Sequence, residues 1–132
     1  MNELPHDGSD GRDAERVRAG LMATENALRA RINEAEGTVT SLRGDCDLDA
    51  ADVGVRNAAT DRLQADADAA RALLEQTSAA LERLDDGSYG LCVSCGESVE
   101  AARLAALPYA AQCLACKVSG SPVRRGQKGR RA

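Results

Sequence analysis

The stretch that decides the fold is Cys92-Val-Ser-Cys95-Gly96, joined by a linker of seventeen residues from Cys95 to Cys113-Leu-Ala-Cys116. Two Cys-x-x-Cys pairs at this separation are typical of a tetrahedral zinc site, because each short spacer lets one turn of backbone direct two sulfurs at one ion. Gly96 follows the first pair, where the chain must turn sharply and a Cβ would obstruct it. We predict one structural Zn²⁺ bound by the four cysteines, since a closed four-cysteine site leaves no position open for catalysis.

Two disulfides or an iron–sulfur centre are the alternative uses of these cysteines. Disulfides are typical of secreted proteins, whereas residues 1–13 lack the charged start and apolar run of a signal peptide. No apolar stretch approaches the roughly 20 residues that span a bilayer. We therefore expect a cytoplasmic protein whose thiols stay reduced and free to bind metal.

The composition favours helices over a large globular core. The chain has 132 residues, no Trp and no Phe, and its two aromatic residues, Tyr89 and Tyr109, lie in or beside the cysteine module. Residues 13–85 are rich in alanine and charged side chains and contain little glycine or proline. This composition is typical of long helices, and it predicts an all-α fold.

Two apolar seams predict a long antiparallel coiled-coil hairpin over residues 13–85, with each helix about 45 Å long. In the first helix, Asp13 is the expected N-cap and Gly44 the expected left-handed end. In the second helix, Asp49 or Asp52 is the expected cap, and residues 85–87 end it. The first seam consists of Val17, Leu21, Leu28, Ile32, Ala35, Val39 and Leu42, and the second of Val55, Ala59, Leu63, Ala67, Ala70, Leu74, Thr77, Leu81 and Leu84.

The short connection between the helices favours folding back within one chain, so we expect a monomer; pairing of helices between two chains is the alternative. Alanine at several seam positions buries little area, which makes the hairpin marginal by itself. We therefore expect the zinc module, residues 86–118, to clamp its base.

The predicted tip of the hairpin, residues 45–52, carries four aspartates. Aspartate is a common turn former and N-cap, which accounts for such a cluster without any function. The alternative is an acidic probe that approaches a cation or a basic surface, although no EF-hand spacing is present. Cys46 lies between two aspartates that disfavour its thiolate, so we do not expect it to act as a nucleophile.

The two ends of the chain are expected to be disordered. Residues 1–12 form a polar leader in which His6 is expected to be solvated, and residues 119–132 form a basic tail. The net charge of the chain is −4; setting aside the six positive charges of residues 117–132 leaves −10 on residues 1–116. A nucleic-acid-binding role of this tail, in a zinc-ribbon protein, is therefore a rival hypothesis. A purely structural coiled-coil adaptor is another.

Residues 81–117 resemble the DksA/TraR family of bacterial C4-type zinc-finger proteins. The resemblance rests on Leu-Glu-Arg-Leu at 81–84, on Asp86-Gly-Ser-Tyr-Gly-Leu-Cys92, on Arg103-Leu, and on Pro108-Tyr-Ala, together with the cysteine pattern. The resemblance implies a protein that inserts its hairpin into the secondary channel of bacterial RNA polymerase and changes transcription initiation without binding a promoter. We do not expect an enzyme, because the sequence shows no nucleophile–base constellation and no phosphate-binding loop, and the predicted zinc site is closed.

The same resemblance assigns candidate residues at the tip and in the module. The family's Asp-x-x-Asp-x-Ala tip pattern falls on Asp49 and Asp52, with Gly54 in place of the alanine. Some members respond to guanosine tetraphosphate through basic residues, of which Arg103 and Lys117 are present here. Other basic positions are lost, so we expect a weak or absent alarmone response; these positions are Ala69, Gln76 and Leu107.

Overall fold

The computed structural model describes residues 9–44 and 50–122, which form four helices: α1 (Ser9–Arg43), α2 (Ala50–Asp86), α3 (Ala101–Ala106) and α4 (Leu114–Ser119). These residues contain no β-strand, only an isolated antiparallel bridge between Leu91 and Ser98. The predicted all-α class, with a long helical hairpin and a small cysteine module, is confirmed. Across the described ranges, no helix has a segment long and apolar enough to cross a membrane.

The chain forms two compact units, each with its own contacts. Among the described residues, the first unit contains 9–23 and 76–122, and the second contains 24–44 and 50–75. In the second unit, α1 and α2 run antiparallel, because Glu36 pairs with Arg71 while Arg56 Nη1 donates to the Leu42 carbonyl at 3.5 Å. In the first unit, the Arg18 guanidinium on α1 lies 2.7 Å from the Asp85 carboxylate on α2.

The start of α1 differs from the prediction. The helix begins at Ser9, so Asp13 lies inside it and is not its N-cap. A glycine within a helix costs only about 1 kcal/mol, which allows the helix to run across Gly11. Four residues of the predicted leader therefore belong to α1, and the remainder of that leader lies outside the described residues.

The end of α1 falls where the sequence predicts, but by another geometry. The helix ends at Arg43, and the N–H of Gly44 bonds to the carbonyls of Thr40 at 3.1 Å and Ser41 at 3.3 Å. Gly44 is not among the glycines with positive φ, so the predicted left-handed end is wrong. The Gly44 N–H instead caps the helix by bonding to carbonyls of its last turn.

The α1 seam is confirmed, because none of its seven positions is exposed. Four of them are buried, namely Leu21, Leu28, Ile32 and Val39, and the other three are half-buried. In the second unit, Leu28, Ile32 and Ala70 form one cluster against which Leu73 and Leu74 pack. This cluster is the local core of that unit.

The α2 seam needs one correction, at Val55, which is 72% exposed. Strict spacing of three and four residues runs back from Ala67 through Leu63, Thr60 and Arg56, and Thr60 is only 6% exposed. The polar character of Thr60 and Arg56 concealed this register in the sequence. Arg56 occupies a half-buried position because its guanidinium reaches a backbone carbonyl.

The end of α2 agrees with the prediction. Gly87 adopts a φ of 81°, and the N–H groups of Ser88 and Tyr89 bond to the Arg83 carbonyl at 2.9 and 3.1 Å. This arrangement satisfies a carbonyl that the helix end would otherwise leave unpaired. The chain then enters the cysteine module, whose core contains Cys92, Cys113 and Cys116 with Val99 and Ala110.

Candidate metal centre and hairpin tip

The four predicted cysteines lie together. Their sulfur atoms all fall within 4.8 Å of one another, and the Cys95 and Cys113 sulfurs are 3.8 Å apart. A tetrahedron with Zn–S bonds of about 2.3 Å has sulfur–sulfur edges of about 3.8 Å, so the spacing fits one zinc ion. Cys95 is exposed, whereas the other three are buried. The donor set and its spacing are those of a structural zinc site.

The first cysteine pair sits on a tight knuckle. The Gly96 N–H donates to the Cys92 carbonyl at 2.9 Å, the Cys92 N–H donates to the Glu97 carbonyl at 2.7 Å, and Gly96 has a φ of 80°. The predicted sharp turn is confirmed, but a Cβ built on Gly96 would meet nothing within 4 Å, so the predicted obstruction is absent. Glycine is favoured here because a side chain would strain the left-handed conformation. The Ser94 N–H also lies 3.4 Å from the Cys92 sulfur and donates to it.

The second cysteine pair begins α4, with Cys113 at its N-cap. The Cys113 side chain makes no cap hydrogen bond, and the Glu100 carboxylate instead accepts from the Leu114 N–H at 3.2 Å. Hydrogen bonds from the backbone N–H groups of Glu100 itself and of Leu114 lower the pKa of the Glu100 carboxyl. Gly120 ends α4 with a φ of 75°.

The thiols differ in acidity. Burial alone would raise the pKa of Cys92, but hydrogen bonds from neighbouring backbone N–H groups outweigh it and lower that pKa to about 6. The hydrogen bond with the Cys113 thiol, together with burial, raises the pKa of Cys116 to about 12. Since zinc binds thiolates, metal binding displaces protons from this set, and zinc affinity falls in acid.

Comparison with known proteins agrees with this geometry. Residues 87–118 match the family model of the prokaryotic dksA/traR C4-type zinc finger. This chain carries a DksA/TraR zinc finger. It is 40% identical over 45 residues to an uncharacterised protein of Aquifex aeolicus (strain VF5), and 45% identical over 40 residues to general stress protein 16O of Bacillus subtilis (strain 168). These matches cover 34% and 30% of this chain, but only 31% and 24% of the two relatives.

A likeness in fold extends beyond the DksA/TraR finger. The structure of transcription factor DksA2 from Pseudomonas aeruginosa matches with a TM-score of 0.74 and 28% identity, covering 89% of this chain and 90% of that one. The family resemblance drawn from the sequence is thereby confirmed, as are the fold class and the expectation of a single Zn²⁺ held by four cysteines.

The predicted tip is described only in part. Asp49 and Cys46 lie outside the described residues, together with the rest of 45–49. Asp52 is exposed in the first turn of α2. Gly54 is exposed within the same helix, and a Cβ built on it would meet nothing within 4 Å.

The two candidate alarmone contacts lie on the DksA/TraR finger. Arg103 is half-buried, and its Nε donates to the Gln112 carbonyl at 2.9 Å. Lys117 is exposed on α4. Leu107 packs against the core of the finger and contributes apolar contact there.

Sequence reasoning missed the polar contacts that support the DksA/TraR finger. Gln112 Nε2 donates to the Ser94 hydroxyl at 2.8 Å and to the Ser121 carbonyl at 2.9 Å, while Ser94 Oγ donates to the Pro122 carbonyl at 2.8 Å. Arg83, on α2, was likewise not recognised as a contact of the finger. A polar residue next to a cysteine ligand, such as Gln112 before Cys113, was the available signal.

Proposed function

We propose that this protein binds bacterial RNA polymerase through its secondary channel and regulates transcription initiation in the cytoplasm without catalysing a reaction. The zinc ion would hold the finger, and the hairpin would carry the acidic tip towards the active centre. The observation that carries the proposal is the likeness to the transcription factor DksA2 over 89% of this chain. The finger match adds support from the sequence.

The proposed action of the tip is electrostatic. Asp49 and Asp52 would approach the active centre, where carboxylates repel nucleotide phosphates or interact with the catalytic Mg²⁺. Asp52, the last residue of the predicted tip, is exposed in the first turn of α2. Gly54 replaces an alanine of the family pattern and loosens the helix start by up to about 1 kcal/mol.

The direct test is binding of the zinc-loaded protein to RNA polymerase core enzyme, with and without a known secondary-channel competitor. We expect micromolar or tighter binding that the competitor displaces. An absence of binding by monodisperse, zinc-loaded protein would refute the proposal and leave a likeness in fold alone.

The tip is tested separately by Asp49→Asn combined with Asp52→Asn. We expect this variant to lose its effect on transcription initiation while keeping its affinity for polymerase. Asp61→Asn combined with Asp66→Asn is the matched control, because both residues are exposed on α2 away from the family pattern. If the tip variant regulates as the control does, the aspartates are not the acting groups.

Alarmone response is expected to be weak or absent. The candidate cation Arg103 is already bonded to a backbone carbonyl, and Leu107 supplies no charge. Adding guanosine tetraphosphate should therefore change polymerase binding and transcription little. A large alarmone effect that Lys117→Ala abolishes would contradict this.

The basic tail supports a second candidate function, nonspecific contact with nucleic acid. Residues 123–132 contain five basic residues and no acidic residue. Each neutralised phosphate contributes about −0.9 to the slope of log affinity against log salt on duplex DNA. A chain ending at Pro122 should therefore lose any DNA binding and the salt dependence of that binding. Lys117→Gln, which leaves the tail intact, is the control and should keep both. Equal binding by the shortened chain would exclude the tail.

A further inference from the structure

Three consecutive backbone carbonyls ahead of the second cysteine pair accept hydrogen bonds from two side chains, one in the last turn of α2 and one three residues beyond its end. The Tyr89 hydroxyl donates to the Pro108 carbonyl at 2.7 Å. Arg83 Nη2 donates to the Tyr109 and Ala110 carbonyls at 3.4 and 3.5 Å. Three successive residues of the finger are thus held by two side chains that lie six positions apart at the helix end.

Arg83 belongs to this contact through its backbone as well. Its carbonyl accepts the Ser88 and Tyr89 N–H groups, which closes α2. The same residue therefore fixes the helix end and reaches the segment that precedes the second cysteine pair. Both contacts are therefore made by a single residue.

The held segment leads directly to the sulfur cluster. Ala110 is 6% exposed and lies in the same core as Cys92 and Cys113. The next residue, Ala111, accepts from the Val93 N–H at 2.8 Å, which ties the segment to the first cysteine pair. Movement of residues 108–110 would therefore disturb both pairs.

The charge of Arg83 makes this contact conditional on folding of the finger. Removal from water lowers the pKa of the guanidinium, and its buried Nε has no hydrogen-bond partner within the described part of the chain. A partly desolvated cation is retained only where acceptors face it. The acceptors at Nη2 are carbonyls of the finger, which face Arg83 only while that segment keeps its conformation.

We propose that Arg83 and Tyr89 form a latch that couples metal binding at the four-cysteine cluster to closure of the end of α2. The coupling is reciprocal in free energy: metal binding stabilises the helix end, and an intact helix end strengthens metal binding. We expect the stronger binding to be measurable as slower metal release. This inference concerns the chain alone and does not rest on polymerase binding, so its tests need no polymerase.

The first test measures zinc release from the full-length, zinc-loaded protein into excess chelator. Arg83→Met keeps the aliphatic contact and removes the donors, and Tyr89→Phe removes only the hydroxyl. Each should release zinc about fivefold faster, which corresponds to the loss of one ordinary hydrogen bond. Arg16→Met, at an exposed position on α1 in the same unit, should release zinc at the parental rate.

The second test separates coupling from general loosening. Zinc removal should accelerate amide exchange at Ser88 and Tyr89 in the parental chain, and by a smaller factor in Arg83→Met. Release from both latch variants at the Arg16→Met rate would overturn the proposal. An equal effect of zinc on exchange in the parental chain and the variant would overturn it too. Should Arg83→Met fail to fold, Tyr89→Phe decides the matter by the same two readouts.

Discussion

Leu21→Ala is the most informative single test of the hairpin near its base. Leu21 is 1% exposed, and the other most deeply buried hairpin positions of its unit, Thr77 and Ala80, are both small. Deleting the equivalent of three methylene groups costs about 2.4 kcal/mol at ~0.8 kcal/mol each. The cavity left behind adds to this, and the total reaches about 3 kcal/mol or more.

Urea unfolding followed by far-ultraviolet circular dichroism, with zinc in excess, measures this loss. For a slope of about 1–3 kcal/mol per molar urea, the midpoint should fall by roughly 1–3 M. Met22→Ala is the adjacent control: Met22 is 49% exposed, and its truncation should stay within about 0.5 kcal/mol. If Leu21→Ala shifted the midpoint no more than this control, the assignment of the seam would be refuted.

Three smaller effects follow from the finger and the surface. Because the pKa of Glu100 is lowered from its ordinary value of 4.5, its carboxylate stabilises the fold above that value, and this stability is lost as pH falls through the pKa of the folded protein. Glu100→Gln should therefore lose less stability than the parental protein between about pH 5 and 3, and equal losses would contradict this. Arg18→Ala breaks an exposed ion pair with Asp85 and should cost at most about 1 kcal/mol in low salt and less in high salt; a larger, salt-insensitive loss would be inconsistent. Gly96→Ala forces a side chain into a φ of 80° and should weaken zinc affinity about tenfold, or roughly 1.4 kcal/mol, whereas Gly37→Ala, inside α1, should leave zinc affinity unchanged; equal zinc affinities would exclude strain at the knuckle.

The metal centre was predictable from the sequence because its geometry is local. Each Cys-x-x-Cys pair specifies its own knuckle, and Gly96 marks the turn that the first knuckle requires. The contact of Arg83 with residues 109 and 110 was not predictable, because its acceptors are backbone carbonyls. Every residue offers such a carbonyl, so the sequence carries no signal of which ones are used.

The hairpin seam was predictable where it is apolar and missed where it is polar. On α1 every predicted position is at least half-buried. On α2 the apolar Val55 was preferred although it is 72% exposed, and the buried Thr60 was passed over. Hydrophobicity alone therefore misplaced the start of the α2 seam at Val55, whereas strict alternation of three- and four-residue spacings back from Ala67 would have placed it correctly.

The buried side chains of the two seams also differ in volume, which explains how a chain without Phe or Trp closes a long hairpin. The buried positions of α1 are leucine, isoleucine and valine, whereas those of α2 are alanine and threonine. Small side chains on one helix allow the other helix to approach closely. They remove little apolar area from water, so each helical turn contributes modestly to the stability of the hairpin. A fixed closure at the helix end therefore matters more here than in a leucine-rich hairpin. The finger supplies acceptors for that closure, because the Arg83 guanidinium on α2 donates to two successive carbonyls of the finger, those of Tyr109 and Ala110.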